Sequence, residues 1–324
     1  MRSNCFLGID TSNYTTSVSL VSEEGEVLLN RKMLLPVKEG ACGLRQSEAV
    51  FAHIKQLPQL MEEVREVAGG SILAIGVSEK PRNAEGSYMP CFLAGVNAAV
   101  ALSSGASLPL YRFSHQCGHL RAAMYAAGVK PVLTEPFGAF HISGGTTELL
   151  RAAYTGNGFD AEVIGGSRDL HAGQAVDRIG VLLGLPFPAG PALERLAEEN
   201  QGCFSPRGTH TEDGYIHLSG LQNLAEKLWK ETGDAPLVAA FTLDYLARAI
   251  IAMSKYFRKK YGNAPLIYAG GVMSNQILQR AIRKEISHAY FATPAFSTDN
   301  AAGIALLTKE AYVAMRSEQG QRND

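Results

Sequence analysis

The chain is poor in cysteine: five in 324 residues, none in CxxC spacing. Cys5, Cys42, Cys91, Cys117 and Cys203 are scattered and odd in number, which excludes a disulfide framework and points to reduced thiols. An excess of charge of one sign is also missing. Thirty Lys and Arg face 31 Asp and Glu, a net charge of −1, so the molecule as a whole is not a polyanion binder. Any nucleic-acid contact must come from a local patch. The densest basic run is Lys255, Arg258, Lys259 and Lys260, whose plainer reading is a solvated helix face. No basic-then-apolar leader opens the sequence, and no apolar run approaches the length of a membrane span. A cytoplasmic protein with no membrane partner is therefore expected. Also missing are a Gly-x-Ser-x-Gly elbow, an HExxH helix and a Cys/His pair in a nucleophile setting.

Hydrophobic residues make up 46% and charged residues 19%, the balance of a globular chain long enough for two domains. Three strand-and-turn segments carry glycine: Leu7-Gly8-Ile9-Asp10-Thr11-Ser12, Ile142-Ser143-Gly144-Gly145-Thr146-Thr147 and Tyr268-Ala269-Gly270-Gly271-Val272. Each puts small residues where backbone N–H groups can approach an anion. Residues 5–35 read as a strand meander, followed by a helix over 48–67 that Pro58 should bend or break. A strand over 71–77, a small-residue helix over 92–102, a strand over 108–113 and a helix from about 114 complete the first half.

The strand, small-residue turn, strand, glycine turn, strand order then restarts over 132–164, with Gly156-Asn157-Gly158 as the turn. Helices follow at 172–183 and 190–199, then a Gly-, His- and Thr-rich stretch over 201–220. A long helix over 236–260, a strand at 266–269, a helix over 274–287, a strand at 289–292 and a last helix from Asp299 close the chain. This duplication is the pattern of an α/β, two-domain actin-like (ASKHA) fold, with a nucleotide cleft between lobes 1–128 and 129–324. The last helix is a candidate to pack back on the first lobe.

His115 and His119 stand four apart at the start of a predicted helix, on one face and within reach of one metal ion. Two surface histidines give the same pattern. Asp299 is the candidate third ligand; it reads equally as the N-cap of the run Ala301–Leu307. Two imidazoles and one carboxylate leave coordination positions open, as in catalytic sites, and suit iron or zinc. The 143–147 turn lacks the lysine of a P-loop and reads otherwise as a plain Gly-Gly hairpin. Asp177 sits on the polar edge of a helix, where it could face a ribose or stand as a surface charge beside Arg178. Gly190 permits close backbone approach. Gly271 and Asn275 form a strand-to-helix turn in which Asn275 is also a plausible N-cap.

Together these residues resemble the tRNA threonylcarbamoyladenosine-synthesising transferase family, formerly labelled O-sialoglycoprotein endopeptidase. The resemblance rests on His115-x-x-x-His119, Ser143-Gly144-Gly145-x-Thr147, Ala175-Val176-Asp177, Leu183-Gly184-Leu185, Pro188-Ala189-Gly190-Pro191, Leu218-Ser219-Gly220-Leu221, Ala269-Gly270-Gly271-Val272-x-x-Asn275 and Thr298-Asp299-Asn300. It implies one divalent metal, Fe or Zn, held by His115, His119 and Asp299. It also implies an adenine nucleotide, ATP or an acyl-adenylate, held by Ile142, Ser143, Gly144, Gly145, Thr146, Asp177, Gly190, Gly271 and Asn275. Asp10 and Ser12 of the first loop are the catalytic candidates. The implied reaction passes threonylcarbamoyl from its adenylate to N6 of the adenosine beside the tRNA anticodon, releasing AMP. The implied partners are tRNA, a shorter actin-like homologue and a small ATPase, in a homo- or heterodimer.

The departures fall in three places. The family's first loop resembles Gly-Ile-Glu-Thr-Ser-Cys-Asp-Glu-Thr; here Tyr14 and Thr15 stand for its Asp-Glu pair. Its Gly-Pro-Gly loop is replaced by Glu79-Lys80-Pro81-Arg82-Asn83-Ala84-Glu85-Gly86, and the acidic stretch before Asp177 is thinned to Asp169. Two alternatives follow: a paralogue that binds nucleotide and metal as a partner protein, or a carbamoyltransferase acting on a small molecule. A metallopeptidase has the least support, since no glutamate stands as general base beside the histidine pair.

Overall fold

The structure is a computed structural model that describes residues 4–12, 14–36, 44–69, 71–129, 135–156, 158–207, 211–297 and 299–321, with side chains through Ser317. Asn157 and Thr298, which figure in the motifs above, lie outside the described residues, as do 132–134 of the predicted strand. The chain divides into two compact units, residues 1–125 with 154–160 and 298–324, and residues 126–153 with 161–297. The C-terminal segment thus belongs to the first unit.

In the first unit, β1 (Cys5–Asp10), β2 (Thr15–Ser22) and β3 (Val27–Leu34) form the expected meander, and β4 (Ile72–Lys80) and β5 (Leu110–Ser114) extend it. The sheet order is β3-β2-β1-β4-β5, antiparallel through the meander and parallel from β1 onward. Every residue of β1 and β2 is buried, which fits their near-continuous apolar and small-residue sequence, whereas edge strand β3 is half exposed. Helices α1 (Gln46–Ala68) and α2 (Phe92–Ala106) share a core with β1 and β4 through Leu57, Leu60, Val64, Ala99, Leu7, Ile9 and Val77. Burying each of these Leu, Ile and Val side chains fully contributes about 1.5–3 kcal/mol.

Pro58 does not break α1, which runs uninterrupted on both sides of it. The buried stripe Ala49, His53, Leu57, Leu60 and Val64 passes through this position, so packing outweighs the lost hydrogen bond. Helix α3 (His115–Ala126) follows β5 directly. The last helix, α10 (Ala302–Gln321), lies on the β1–β4 part of the sheet.

Gly8, the glycine of the first loop's segment, has a packing role. A Cβ there would stand 2.6 Å from Ala301 O and Ala305 N. The glycine is in the strand and admits the last helix, not a ligand.

The second unit holds β6 (Phe137–Ile142), β7 (Thr147–Tyr154), β8 (Phe159–Ser167), β9 (Tyr215–Ile216), β10 (Leu266–Ala269) and β11 (Ala289–Phe291); the β7–β8 tip, 154–160, is grouped with the first unit. Its order is β11-β10-β6-β7-β8-β9: β6 and β7 pair antiparallel as β1 and β2 do, and β10 and β11 continue in parallel from β6 as β4 and β5 do from β1. Tyr268 on β10 stacks between its cross-strand partners Phe140 and Phe291, each with ring centroids 4.8 Å away.

The helices are α4 (Ala172–Leu182), α5 (Gly190–Glu198), α6 (Ser219–Thr232), α7 (Ala235–Tyr261), α8 (Gln276–Glu285) and the single turn α9 (Pro294–Ser297). The sequence reading missed α6, whose amphipathic residues follow a stretch read as loop. It also underrated α7, which is long and apolar enough to cross a membrane. In the structure 72% of that apolar window is buried, and α7 is the core helix of its unit.

Candidate metal centre and nucleotide cavity

Helix α3 begins at His115, so His115 and His119 lie one above the other on its first turn. Asp299 arrives from the other end of the chain, just before α10. The N-cap duty expected of it falls to Asn300, whose Oδ1 accepts from Ala302 N at 3.0 Å. The Asp299 carboxylate turns to the histidines instead.

Close approach of α3 and α10 brings them together: a Cβ on Gly303 would overlap the carbonyl oxygen of Gly118. His119 Nε2 is 2.8 Å from His115 Nε2 and 3.1 Å from Asp299 Oδ1, and His115 Nε2 is 3.6 Å from Asp299 Oδ1. Metal–ligand bonds of about 2.05 Å give ligand edges of about 2.9 Å in an octahedron and about 3.3 Å in a tetrahedron. The three observed edges bracket those values, so the donor set fits one divalent cation. Among the described residues these three form the cluster with metal-ligating geometry.

Asp10 and Ser12, the catalytic candidates, are both 1% exposed. Asp10 Oδ2 accepts from His115 Nδ1 at 2.7 Å, and Asp10 Oδ1 accepts from Ser12 N at 2.8 Å. Among the described residues the buried Ser12 hydroxyl has no hydrogen-bond partner within bonding geometry. Burial pushes Asp10 up, but the His115 charge and hydrogen bond outweigh it and hold the carboxyl below its usual range. Burial likewise opposes ionised Asp299, and His115 and His119 reverse it, leaving that carboxyl well below the usual range. For His115, desolvation lowers the pKa while Asp10 and Asp299 raise it, to about 10. Thr15, in place of the family's glutamate, directs its hydroxyl to Asp299 Oδ2 at 3.4 Å.

The second unit contains a cavity of about 480 Å³ lined by Gly144, Asp177, Gly190, Gly271 and Asn275, five of the nine residues expected to hold a nucleotide. That volume lies in the range of small-molecule sites. A Cβ on Gly144, Gly145 or Gly271 would meet nothing within 4 Å, so the packing does not require glycine there. Gly173 differs: its Cβ would stand 2.6 Å from Ser143 O and Gly144 N, so it seats the start of α4 on the 143–146 turn.

Ile142 is fully buried, with its side chain in the core, and Ser143, Gly145 and Thr146 do not line the cavity. Ser143 N donates to Thr146 O at 2.8 Å and closes the turn. Asp177 Oδ1 accepts from Ala189 N at 2.8 Å and ties α4 to the loop before α5. Asn275 does cap α8, accepting from Leu278 N at 3.0 Å, and lines the cavity as well.

Glu194 was not singled out in the sequence. It lines the cavity and accepts from Gln276 N at 2.6 Å. Its position four residues after Gly190, on the same helical face, is the signal that could have found it.

The basic run on α7 is largely occupied within its own unit. Lys255 pairs with Glu285 at 2.8 Å, Arg258 donates to Ser287 Oγ at 2.9 Å, and Lys260 lies over the Tyr261 ring.

Residues 37–306 match the sequence profile of tRNA N6-adenosine threonylcarbamoyltransferase. Proteins of that name from Geobacillus kaustophilus and Thermus thermophilus are each 32% identical to this chain. They align with 98% and 94% of it and with 93% and 91% of their own lengths. Among solved structures, HypF of T. kodakarensis superposes with a TM-score of 0.62 at 13% identity, over 97% of this chain and 48% of its own. The activator of 2-hydroxyisocaproyl-CoA dehydratase from Clostridium difficile superposes with a TM-score of 0.52 at 14% identity, over 97% of both chains. A ROK family glucokinase from Streptomyces griseus gives 0.50 at 14%, over 96% of this chain and 100% of its own. These structural likenesses establish the two-lobed, actin-like α/β fold. The sequence match goes further: this chain belongs to the tRNA N6-adenosine threonylcarbamoyltransferase family of transferases.

Proposed function

We propose that the protein transfers a threonylcarbamoyl group from threonylcarbamoyl-adenylate to N6 of an adenosine in tRNA, with AMP as the other product. In this reaction the N6 amine attacks the carbamoyl carbon. The bond from that carbon to the phosphate oxygen breaks, AMP leaves, and N6 gives up a proton. The observation that supports this reading most is the convergence of His115, His119 and Asp299, the last 180 positions from His119, in a chain of this family.

His115, His119 and Asp299 are the residues that would hold a divalent cation, iron or zinc, and the bound ion would supply positive charge for an anionic oxygen. The rest falls to the chain's own groups. In the second unit, Asp177, Glu194 and Asn275 offer acceptors and an amide to the hydroxyls and base of a nucleotide. The open faces of Gly144, Gly190 and Gly271 let backbone come close to it. Holding the adenylate in one orientation is where most of the rate gain would arise, because the leaving group is already activated.

The partners in this reading are tRNA, a shorter actin-like homologue and a small ATPase. The test is incubation of the purified protein with threonylcarbamoyl-adenylate, unmodified tRNA and those partners. The modified nucleoside should form with wild type and disappear with His119→Ala. No product, under conditions in which the Geobacillus kaustophilus relative works, would count against the reading.

One observation favours a second reading. Thr15 and Tyr14 replace the acidic pair of the family's first loop, and Thr15 sits against Asp299. A paralogue that binds nucleotide and metal without turnover would show AMP binding and association with another family member, and no product. A carbamoyltransferase acting on a small molecule would turn over carbamoyl-adenylate with no RNA present.

A further inference from the structure

The turn between β1 and β2 makes two contacts to the candidate metal ligands, and neither is needed to hold the strands together. Asp10 ends β1 and Thr15 begins β2; the backbone closes between them through Thr15 N to Ser12 O at 3.1 Å. Both side chains nevertheless point at the histidine–aspartate cluster. Asp10 is 1% exposed and engages both oxygens, Oδ1 with Ser12 N and Oδ2 with His115 Nδ1. His115 is therefore held by Nδ1, and its Nε2 is the nitrogen presented to the cluster. Thr15 is 4% exposed and reaches Asp299 Oδ2, while Asp299 Oδ1 is the oxygen beside His115 and His119. One arm of the turn sets the ring of a ligand; the other occupies the spare oxygen of another.

We propose that this turn is the outer shell of the metal centre, with Asp10 the positioning residue of His115 and Thr15 the positioning residue of Asp299. The proposal rests on the metal reading above and adds a coordination mode: Asp299 gives the cation one oxygen, because the other is engaged by a hydroxyl. A glutamate at position 15, as in the resembling family, could not donate that hydrogen bond when ionised and would add a second negative charge beside Asp299. With Thr15 the inner shell keeps a single carboxylate. The unused positions on the cation stay free for an oxygen ligand, which a two-oxygen Asp299 would crowd.

The test is titration of metal-free protein with Co²⁺, read by its ligand-field absorption and by affinity. Four proteins are compared: wild type, Thr15→Ser, Thr15→Val and Asp10→Asn. Wild type and Thr15→Ser should share one spectrum and bind alike, since both keep the hydroxyl. Thr15→Val, of the same shape without the donor, should bind about tenfold more weakly and change the spectrum, and Asp10→Asn should bind about 10- to 100-fold more weakly. Far-UV circular dichroism and the melting temperature of metal-free Thr15→Val should match wild type, which separates loss of the outer shell from loss of fold. Wild-type affinity and spectrum in Thr15→Val would overturn the one-oxygen assignment, and wild-type affinity in Asp10→Asn would overturn the role of Asp10. Failure of wild type to bind Co²⁺ is a different result, and it would overturn the metal reading beneath the proposal.

Discussion

Gly303 on α10 lies against the backbone of Gly118 on α3, so close that α10 has no room for a side chain at position 303. His115 stands one turn before that crossing on α3, and Asp299 stands one turn before it on the approach to α10. Gly303 thus fixes how near the ligands come, although it touches no ligand itself.

Gly303→Val should therefore cost both stability and metal binding. Alanine in place of helical glycine ordinarily gains about 1 kcal/mol of helix propensity. Here the added carbon would strike the Gly118 carbonyl, so even Gly303→Ala should be destabilising, by about 1–3 kcal/mol. Chemical denaturation of the metal-free variant measures the first effect, and metal content after reconstitution the second. A stabilised Gly303→Ala protein would show that the crossing is looser than described.

Gly144 should behave in the opposite way. Nothing lies within 4 Å of a Cβ built there, so Gly144→Val should change stability by no more than about 0.5 kcal/mol. The valine would protrude into the cavity shared with Asp177 and Asn275, and AMP affinity should fall at least about tenfold, about 1.4 kcal/mol. Calorimetric titration with AMP, beside a melting curve, separates the two effects.

The pH dependence of metal uptake follows from His115. In the metal-free protein its pKa is raised from 6.5 to about 10 by Asp10 and Asp299 against burial. The imidazolium is thus the neutral-pH form, and a cation must displace its proton. Metal affinity should rise with pH, and titration near neutrality in buffers of different ionisation enthalpy should show about one proton released per ion. For stability of the metal-free fold the sign is reversed. A raised folded-state pKa stabilises fully below 6.5, and that contribution is lost as pH climbs through about 10.

Asp169 contributes to the acid limb, as Asp10 and Asp299 do. Its carboxylate accepts from Leu218 N, Ser219 N, Ser219 Oγ and Leu170 N and so anchors the start of α6. Burial raises its pKa, but these hydrogen bonds outweigh that and hold it well below the carboxylate range. The stabilisation is present above the unfolded pKa of about 3.9 and is lost as pH falls below it. Asp169→Ala should lose about 1–3 kcal/mol at neutral pH and show a flatter loss of stability on acidification. Urea denaturation at several pH values would show both.

The duplicated meander was legible in the sequence because strands buried on both faces leave unbroken apolar runs, as in Cys5–Asp10 and Phe137–Ile142. The histidine pair was legible because four-residue spacing defines a helix face. Pro58 does not end α1, because a buried stripe decides where the local rule does not. Helix α6 was missed because its start signal, Ser219 seated on Asp169, depends on a residue 50 positions away. The packing role of Gly8 was not legible for a related reason: the atoms that demand a glycine there belong to Ala301 and Ala305, which no local pattern connects to it. Asp10 was noticed for its loop, but its contact with His115 spans 105 positions and exists only in the folded chain.

The most direct test is calorimetric titration of metal-free wild type and Asp299→Ala with Zn²⁺. One ion per chain is predicted for wild type, with affinity at least about 100-fold weaker in the variant, the cost of about 2.7 kcal/mol expected when one of three ligands is removed. Equal affinity in the two proteins, or no uptake by either, would contradict a centre built from His115, His119 and Asp299.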